Sequence, residues 1–426
     1  MTPETPRPRR LIFVNRYYRP DQSATSQLLT DLAQSLAARG CEVHVVCSRQ
    51  LYEDPDVRLE PFEVLCLVQV HRVATTRFGR GRLIGRAIDY ASFYASSAIA
   101  LMRLVRRADV LIPKTDPPLL SILAALIARM KGAALVNWQQ DVFPEIASHL
   151  GSNPLPGWLD RLLRRARDAS LRAARMNVVV GHRMQEYFAA QKIPAAQLCV
   201  IDNWADPEAI VAKPASASAL GARLRLAGRF VVGYSGNLGR AHEYQTLLSA
   251  AEILRGDPSF AFLMIGGGAK MQALREAVAQ RGLEHFLFLG YQAREELSDS
   301  LAAADVHLAS LLPELEGLLV PSKLYGVLAA GRPLVFIGDE DGEIARILHQ
   351  YGCGIVVGVG AGDTLAAALR RLQANPEECA AMGARARSAL VEHYSRDAAL
   401  ARWAAVLDLT PANRRGDVAP PAPSSR

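Results

Sequence analysis

Between Glu314 and Tyr325 the chain reads Glu-Leu-Glu-Gly-Leu-Leu-Val-Pro-Ser-Lys-Leu-Tyr, which places an acidic loop, a proline and a Ser-Lys pair where a helix is expected to begin. Pro321 suits a first helical turn, whose amides lack intrahelical acceptors, and Ser322 has the side chain of an N-cap. The amides and dipole of such a turn favour a phosphate or diphosphate, and Lys323 adds a full positive charge. Lysine is scarce: it occurs only at 114, 131, 192, 213, 270 and 323, every other basic residue among the 49 being arginine. The same pattern also fits an ordinary capped helix after a loop. A second anion-binding candidate is Ser235-Gly236-Asn237-Leu238-Gly239-Arg240, where glycines after an apolar run let backbone approach a phosphate and Arg240 brings charge; a tight strand-to-helix turn explains the glycines alone equally well. Asp141, with Glu145 close behind, could orient or deprotonate a hydroxyl, or serve as a turn residue ahead of Pro144. The loop from Arg16 to Thr25 offers Asp21, Ser23 and Thr25 as polar contacts. Its Arg16 and Arg19 could meet an anionic group, although either arginine alone reads as surface.

Positioning these residues takes strands that end in loops. The first third alternates short apolar runs with helical patterns, which points to a parallel sheet covered by helices on both faces. Strands are expected at 11–15, 41–47, 64–70, 110–112, 134–138 and 177–180, with helices at 23–39 and 117–130. A second alternating series predicts strands at 230–234, 260–265, 286–289, 306–309, 334–337 and 355–357. The fold class is therefore α/β, two doubly wound domains facing a cleft, with ligands beyond the carboxyl ends of the strands. Expected boundaries are 1–212 for an N-terminal Rossmann-like domain, 213–229 for an interdomain linker rich in small residues, and 230–395 for a C-terminal Rossmann-like domain. A C-terminal helix over 396–410 is expected to pack back toward the first domain, and a Pro/Ala/Ser/Arg-rich tail over 411–426 to be disordered.

Taken together, Tyr17-Tyr-Arg-Pro20-Asp-Gln-Ser-Ala-Thr-Ser, Gln139-Gln-Asp141-Val-Phe-Pro144-Glu145, Tyr234-Ser-Gly236-Asn237-Leu-Gly239-Arg240, Phe262-Leu-Met-Ile-Gly266-Gly267-Gly268 and Pro321-Ser-Lys-Leu-Tyr with Ala330-Gly-Arg-Pro333 resemble glycosyltransferase family 4 of the GT-B fold. The branch resembled is the bacterial one that builds colanic acid, exopolysaccharide and O-antigen. The resemblance implies two Rossmann-like domains and a retaining transfer of sugar from a nucleoside-diphosphate-sugar to a polyprenyl-diphosphate-linked saccharide, with no cofactor and no metal. It implies a donor site of Gly236, Asn237, Gly239, His242, Gly266, Gly267, Glu314, Gly317, Leu318 and Ser322, and catalytic roles for Asp141, Arg240, Glu316 and Lys323. Acceptor contacts fall to Arg16, Asp21, Ser23, Thr25 and Glu145. Relatives place an Arg and a Lys where this chain has Asn237 and His242, so Arg240 is expected to substitute and a protonated His242 to assist. Glu316 matches the first glutamate of the family's paired-glutamate loop, which contacts donor sugar hydroxyls. The second, which holds the ribose, is replaced by Gly326, leaving Glu314 or the run Asp339-Glu-Asp341-Gly-Glu343 as substitutes.

A net charge of +7 and a pI near 9.2 permit several anionic partners. Arginines cluster before and after the apolar stretch 87–102, and 158–175 combines six arginines with a leucine stripe, as a helix on an anionic membrane surface would. A solvated helix packed on a core is the equal alternative. No aromatic interleaving speaks for nucleic acid. The six cysteines lack metal or disulfide spacing and read as buried thiols in a reducing compartment. The first residues lack a signal-peptide core and no run reaches membrane-spanning length, so a cytoplasmic protein, peripheral on the inner face of the membrane, is expected. Two other functions fit the same scaffold: a non-hydrolysing sugar-nucleotide epimerase, and a non-catalytic partner in polysaccharide assembly.

Overall fold

A computed structural model describes residues 9–409 apart from 53, 55, 79–82 and 152–154. The expected tail at 411–426 and residues 1–8 lie outside the described residues. The first sheet contains β1 (Arg10–Val14), β2 (Glu42–Ser48), β3 (Phe62–Leu65), β4 (Val68–Val73), β5 (Val110–Pro113), β6 (Ala134–Gln139), β7 (Met176–Val179) and β8 (Leu198–Val200). The second contains β9 (Phe230–Asn237), β10 (Phe260–Gly267), β11 (Phe286–Leu289), β12 (Val306–Ser310), β13 (Leu334–Ile337) and β14 (Gly354–Val357). Their spatial orders are β3-β4-β2-β1-β5-β6-β7-β8 and β11-β10-β9-β12-β13-β14, parallel throughout except for β3 against β4. Both are doubly wound, and the direction of winding reverses between β1 and β5 and between β9 and β12, where crevices form at the strand ends.

The strand residues explain the architecture. Leu11, Ile12, Phe13 and Val14 are all fully buried, because a parallel sheet covered on both faces has no wet side. Three details differ from expectation. The apolar run 64–70 is not one strand but a hairpin, turning at Cys66 and Leu67 with φ of 48° and 68°; Cys66 is thus exposed at a turn and not buried. Neither residue carries the usual turn signal. The short edge strand β8 was hidden by its length of three residues. The stretch 213–229 is no loose linker: Ser218 caps the Ala219–Arg223 helix, Asp299 accepts from Lys213 and from the Leu220 amide, and Leu220 and Leu226 are buried against the second sheet.

The chain crosses between the sheets at two places that touch. Ala205 donates its amide to Tyr394 O at 3.2 Å, and Arg396 donates its own to Ala205 O at 3.1 Å. After the second crossing, the Arg396–Val406 helix packs beneath the first sheet. Its Trp403 meets Trp138 edge-on at 5.0 Å, and Trp138 stacks on Trp204 at 5.8 Å.

Candidate active site

At the winding reversal of the second sheet, β9 ends in Gly236-Asn237 and β10 in Gly266-Gly267, paired in register. Gly236 and Gly266 have φ of 119° and 122°, and a Cβ on Gly266 would overlap the Gly236 carbonyl, so two backbones approach as only glycines allow. The Lys323 stem lies along Gly236, whose added Cβ would sit 3.3 Å from Lys323 Cε. Gly236 and Lys323, 87 residues apart in the chain, thus form one corner.

That corner has a defined protonation pattern. His242 Nδ1 faces the Ser310 carbonyl at 2.5 Å, and Nε2 faces Lys323 Nζ at 3.0 Å. A carbonyl only accepts and an ammonium only donates, so Nδ1 carries the proton and Nε2 is the acceptor: His242 is neutral. Burial and the Lys323 charge push its pKa down to about 3. The expectation that a protonated His242 assists is therefore corrected, since it acts as an acceptor that aims Lys323. Burial also lowers the Lys323 ammonium to about 7. Of its three N–H groups, one goes to His242, and the Tyr234 ring lies 5.1 Å away. Arg240 stands exposed on the turn and makes no hydrogen bond or ion pair among the described residues. Ser322 is itself helical and caps nothing, and the Lys323–Ala329 helix has only seven residues, so Lys323 supplies a charge that a short dipole does not.

The acidic loop lies on the seam between the sheets. Glu316 Oε1 accepts the Glu343 amide at 2.7 Å, whereas its buried Oε2 has no partner. Burial foremost, with Glu343 and Asp339 adding negative charge, pushes Glu316 up to about 7. Glu343 is not free to hold a ribose: it is buried, and its carboxylate accepts the Arg183 amide at 2.7 Å, at the start of the His182–Ala190 helix of the first sheet. Asp339 accepts the Asp341 amide, the Asp341 carbonyl accepts from the Arg183 guanidinium, and Glu314 is exposed. Gly317, at φ 75°, turns beside the Arg183 carbonyl. Leu318 O accepts the Val142 amide at 2.9 Å and Leu319 bridges to Asp141, which sets the acidic loop against the loop after β6.

On the first sheet's side, Asp141 lines a pocket with Lys114, Thr115, Leu119, Ser121, Gln139 and Arg167. Its carboxylate makes no hydrogen bond or ion pair among the described residues. Burial, and then Asp116, push it up to about 6 against the pull of Lys114. Lys114 is only 1% exposed; it donates to Thr25 O at 2.8 Å and lies 3.8 Å over the Trp138 ring, with burial lowering it to about 7. Arg16 sits at the reversal point between β1 and β5, buried between the Tyr17 and Tyr90 rings, 4.0 Å from Asp89 and with its Nε unpartnered. Three expected acceptor contacts are spent elsewhere. Asp21 accepts from the Ser23 hydroxyl and amide and from the Tyr52 amide, which also occupies Ser23. Glu145 is buried under Arg167 at 2.6 Å, Arg164 at 2.9 Å and the Tyr187 hydroxyl at 2.7 Å. Thr25 remains half-buried beside Lys114. Sequence reasoning passed over Lys114, Asp116 and Arg183; the rarity of lysine was the one signal that pointed to Lys114.

Comparison with known proteins places this geometry. Residues 222–389 match the glycosyl transferases group 1 family and residues 24–204 the glycosyl transferase 4-like domain. WbjE of Pseudomonas aeruginosa, named a glycosyltransferase, is 27% identical over 329 residues, covering 77% of this chain and 82% of that protein. WcaI of Escherichia coli (strain K12), named for colanic acid biosynthesis, is 24% identical over 374 residues, covering 83% and 89%. Among solved structures, Anabaena HepE in complex with UDP and glucose superposes with a TM-score of 0.70 at 16% identity, over 94% of this chain and 99% of that one. Sucrose-phosphate synthase from Thermosynechococcus elongatus gives 0.73 at 15% identity, over 94% and 98%. The chain thus belongs to glycosyltransferase family 4, the group 1 glycosyl transferases, and is a transferase of the GT-B fold.

Proposed function

We propose that this enzyme moves a sugar, with retention and without a metal, from a nucleoside-diphosphate-sugar to a lipid-diphosphate-linked saccharide in surface polysaccharide synthesis. The observation that carries the reading is the corner where Lys323, aimed by neutral His242, lies along Gly236 at the reversal point of the second sheet. A preorganised ammonium beside close-approaching backbone stabilises the charge that develops on a departing diphosphate. Glu316 Oε2, buried and unpartnered, suits a donor sugar hydroxyl, and Asp141 across the seam suits the acceptor hydroxyl. The name of WcaI for colanic acid biosynthesis and the UDP complex of the HepE structure support the same assignment. Thermal melts of the full chain against a panel of nucleotide sugars test it. A cognate donor at about 100 times its Kd stabilises the fold by about 2.7 kcal/mol and raises the melting temperature. A panel without any shift rejects the donor site.

We place the enzyme on the inner face of the cytoplasmic membrane. No helix of the described residues is long and apolar enough to span a bilayer. Three helices packed in sequence each expose apolar residues, and the third adds exposed arginines. Leu83–Leu104 carries Ile84 (76% exposed), Ile88 and Ile99; Leu120–Lys131 carries Leu126 and Met130 (68%); Gly157–Arg172 carries Trp158 (63%), Leu162 and exposed Arg161, Arg165 and Arg172. Arg164 and Arg167, by contrast, are tied to Glu145 and do not serve this surface. Replacing Arg161, Arg165 and Arg172 together by Gln is expected to weaken binding to anionic vesicles by about two orders of magnitude, at about 1 kcal/mol per arginine. Co-sedimentation equal to wild type would reject the surface.

A further inference from the structure

We propose that Lys270 is a second diphosphate-binding residue, supplying the positive charge that His242 withholds. The inference rests on the donor-diphosphate reading above. Lys270 follows the Gly266-Gly267-Gly268 end of β10, a loop zipped to the turn after β9: Leu238 donates its amide to Gly267 O at 2.7 Å, and Lys270 donates its own to Leu238 O at 2.9 Å. This fastening delivers the Lys270 ammonium to the His242 carbonyl, at 2.5 Å. Lys323 meets the ring of that same histidine at 3.0 Å. Two ammonium groups therefore bond one residue, His242, Lys270 at its carbonyl and Lys323 at its ring, and Lys323 also lies along Gly236.

Neither ammonium is neutralised. Among the described residues, neither Lys270 nor Lys323 forms an ion pair. The acidic groups near Lys270 are Glu243 and Glu314. Glu243 is buried and committed to the amides of Gln245 and Thr246, where it caps the Gln245–Ile253 helix, and Glu314 faces solvent on the acidic loop. Like charges this close repel unless an anion lies between them. Each ammonium keeps two N–H donors beyond its bond to His242, enough for one phosphoryl group apiece. A diphosphate, with two phosphoryl groups bearing charge, matches the pair; a monophosphate engages one of them.

Titration calorimetry of the full chain with UDP, GDP and dTDP, and with the corresponding monophosphates, tests this. Lys270→Gln is expected to weaken the tightest diphosphate roughly tenfold or more while changing the monophosphate less, so that the ratio of the two affinities falls. Lys270→Arg, which keeps the charge, is expected to hold that ratio close to wild type, and Lys270→Ala to repeat the Gln result. An unchanged ratio in Lys270→Gln and Lys270→Ala would overturn the role of Lys270 while leaving the donor site intact. A wild-type chain that binds none of the six nucleotides would overturn the donor reading itself, and this inference with it.

Discussion

Lys323→Met is expected to lower kcat by about 10²-fold or more while leaving the protein at least as stable as wild type. The catalytic loss follows from removing a buried donor aimed at developing charge, which typically costs about 10²–10³ in rate. The stability outcome follows from linkage. The Lys323 ammonium is depressed from 10.5 to about 7 by burial, so its charged form is disfavoured by folding. Below pH about 7 it is protonated in both the folded and the unfolded chain and the full penalty applies; the penalty fades as pH rises toward 10.5, where the unfolded lysine also loses its proton. At pH 6 to 7 the methionine variant therefore loses a cost, and its melting temperature should equal or exceed the wild-type value. A structural lysine would give the reverse pairing, lower stability with rate intact, and that result would remove Lys323 from the chemistry.

The second large effect concerns pH. In the proposed reaction the Asp141 carboxyl, pushed up to about 6, acts when ionised, and the Lys323 ammonium, lowered to about 7, acts when protonated. In the free enzyme kcat/KM should rise through pH about 6 and fall through about 7, a narrow bell. Bound diphosphate stabilises the ammonium, so the alkaline limb of kcat should lie higher than that of kcat/KM. Asp141→Asn is expected to reduce kcat by about 10²–10⁴ and to abolish the acidic limb. Glu316, held near 7 on the donor side, is the rival source of that limb. A limb that persists in Asp141→Asn belongs to Glu316 and ends the case for Asp141.

The backbone of this arrangement was legible because parallel strands buried on both faces read as unbroken apolar runs closed by glycine. Leu334–Ile337, buried at every position, coincides with its expected bounds for that reason, and the edge strand Phe286–Leu289, buried only at Phe286, does so through its apolar run and the glycine that follows it. The hairpin at Cys66-Leu67 was not legible, since its left-handed residues carry no glycine, proline or asparagine. Side-chain commitments were harder still. Whether Glu145 is available depends on Arg164, Arg167 and Tyr187, and whether His242 is charged depends on a carbonyl 68 residues away. Such facts belong to packing between segments, which linear spacing does not encode. Lysine scarcity singles out Lys323, and the same argument extends to Lys114 and Lys270.

The tryptophan contact beneath the first sheet has a consequence for how the protein is made. Trp204, the later of the stacked pair, leaves the ribosome about 200 residues ahead of Trp403, which at ~5–20 residues per second is roughly 10–40 s of synthesis. Throughout that interval the nascent amino-terminal half has two stacked indoles and no lid for them, while the strands of the later half, β9 to β14, emerge one after another. The half translated first is thus finished last, and during translation it is the half that needs a chaperone.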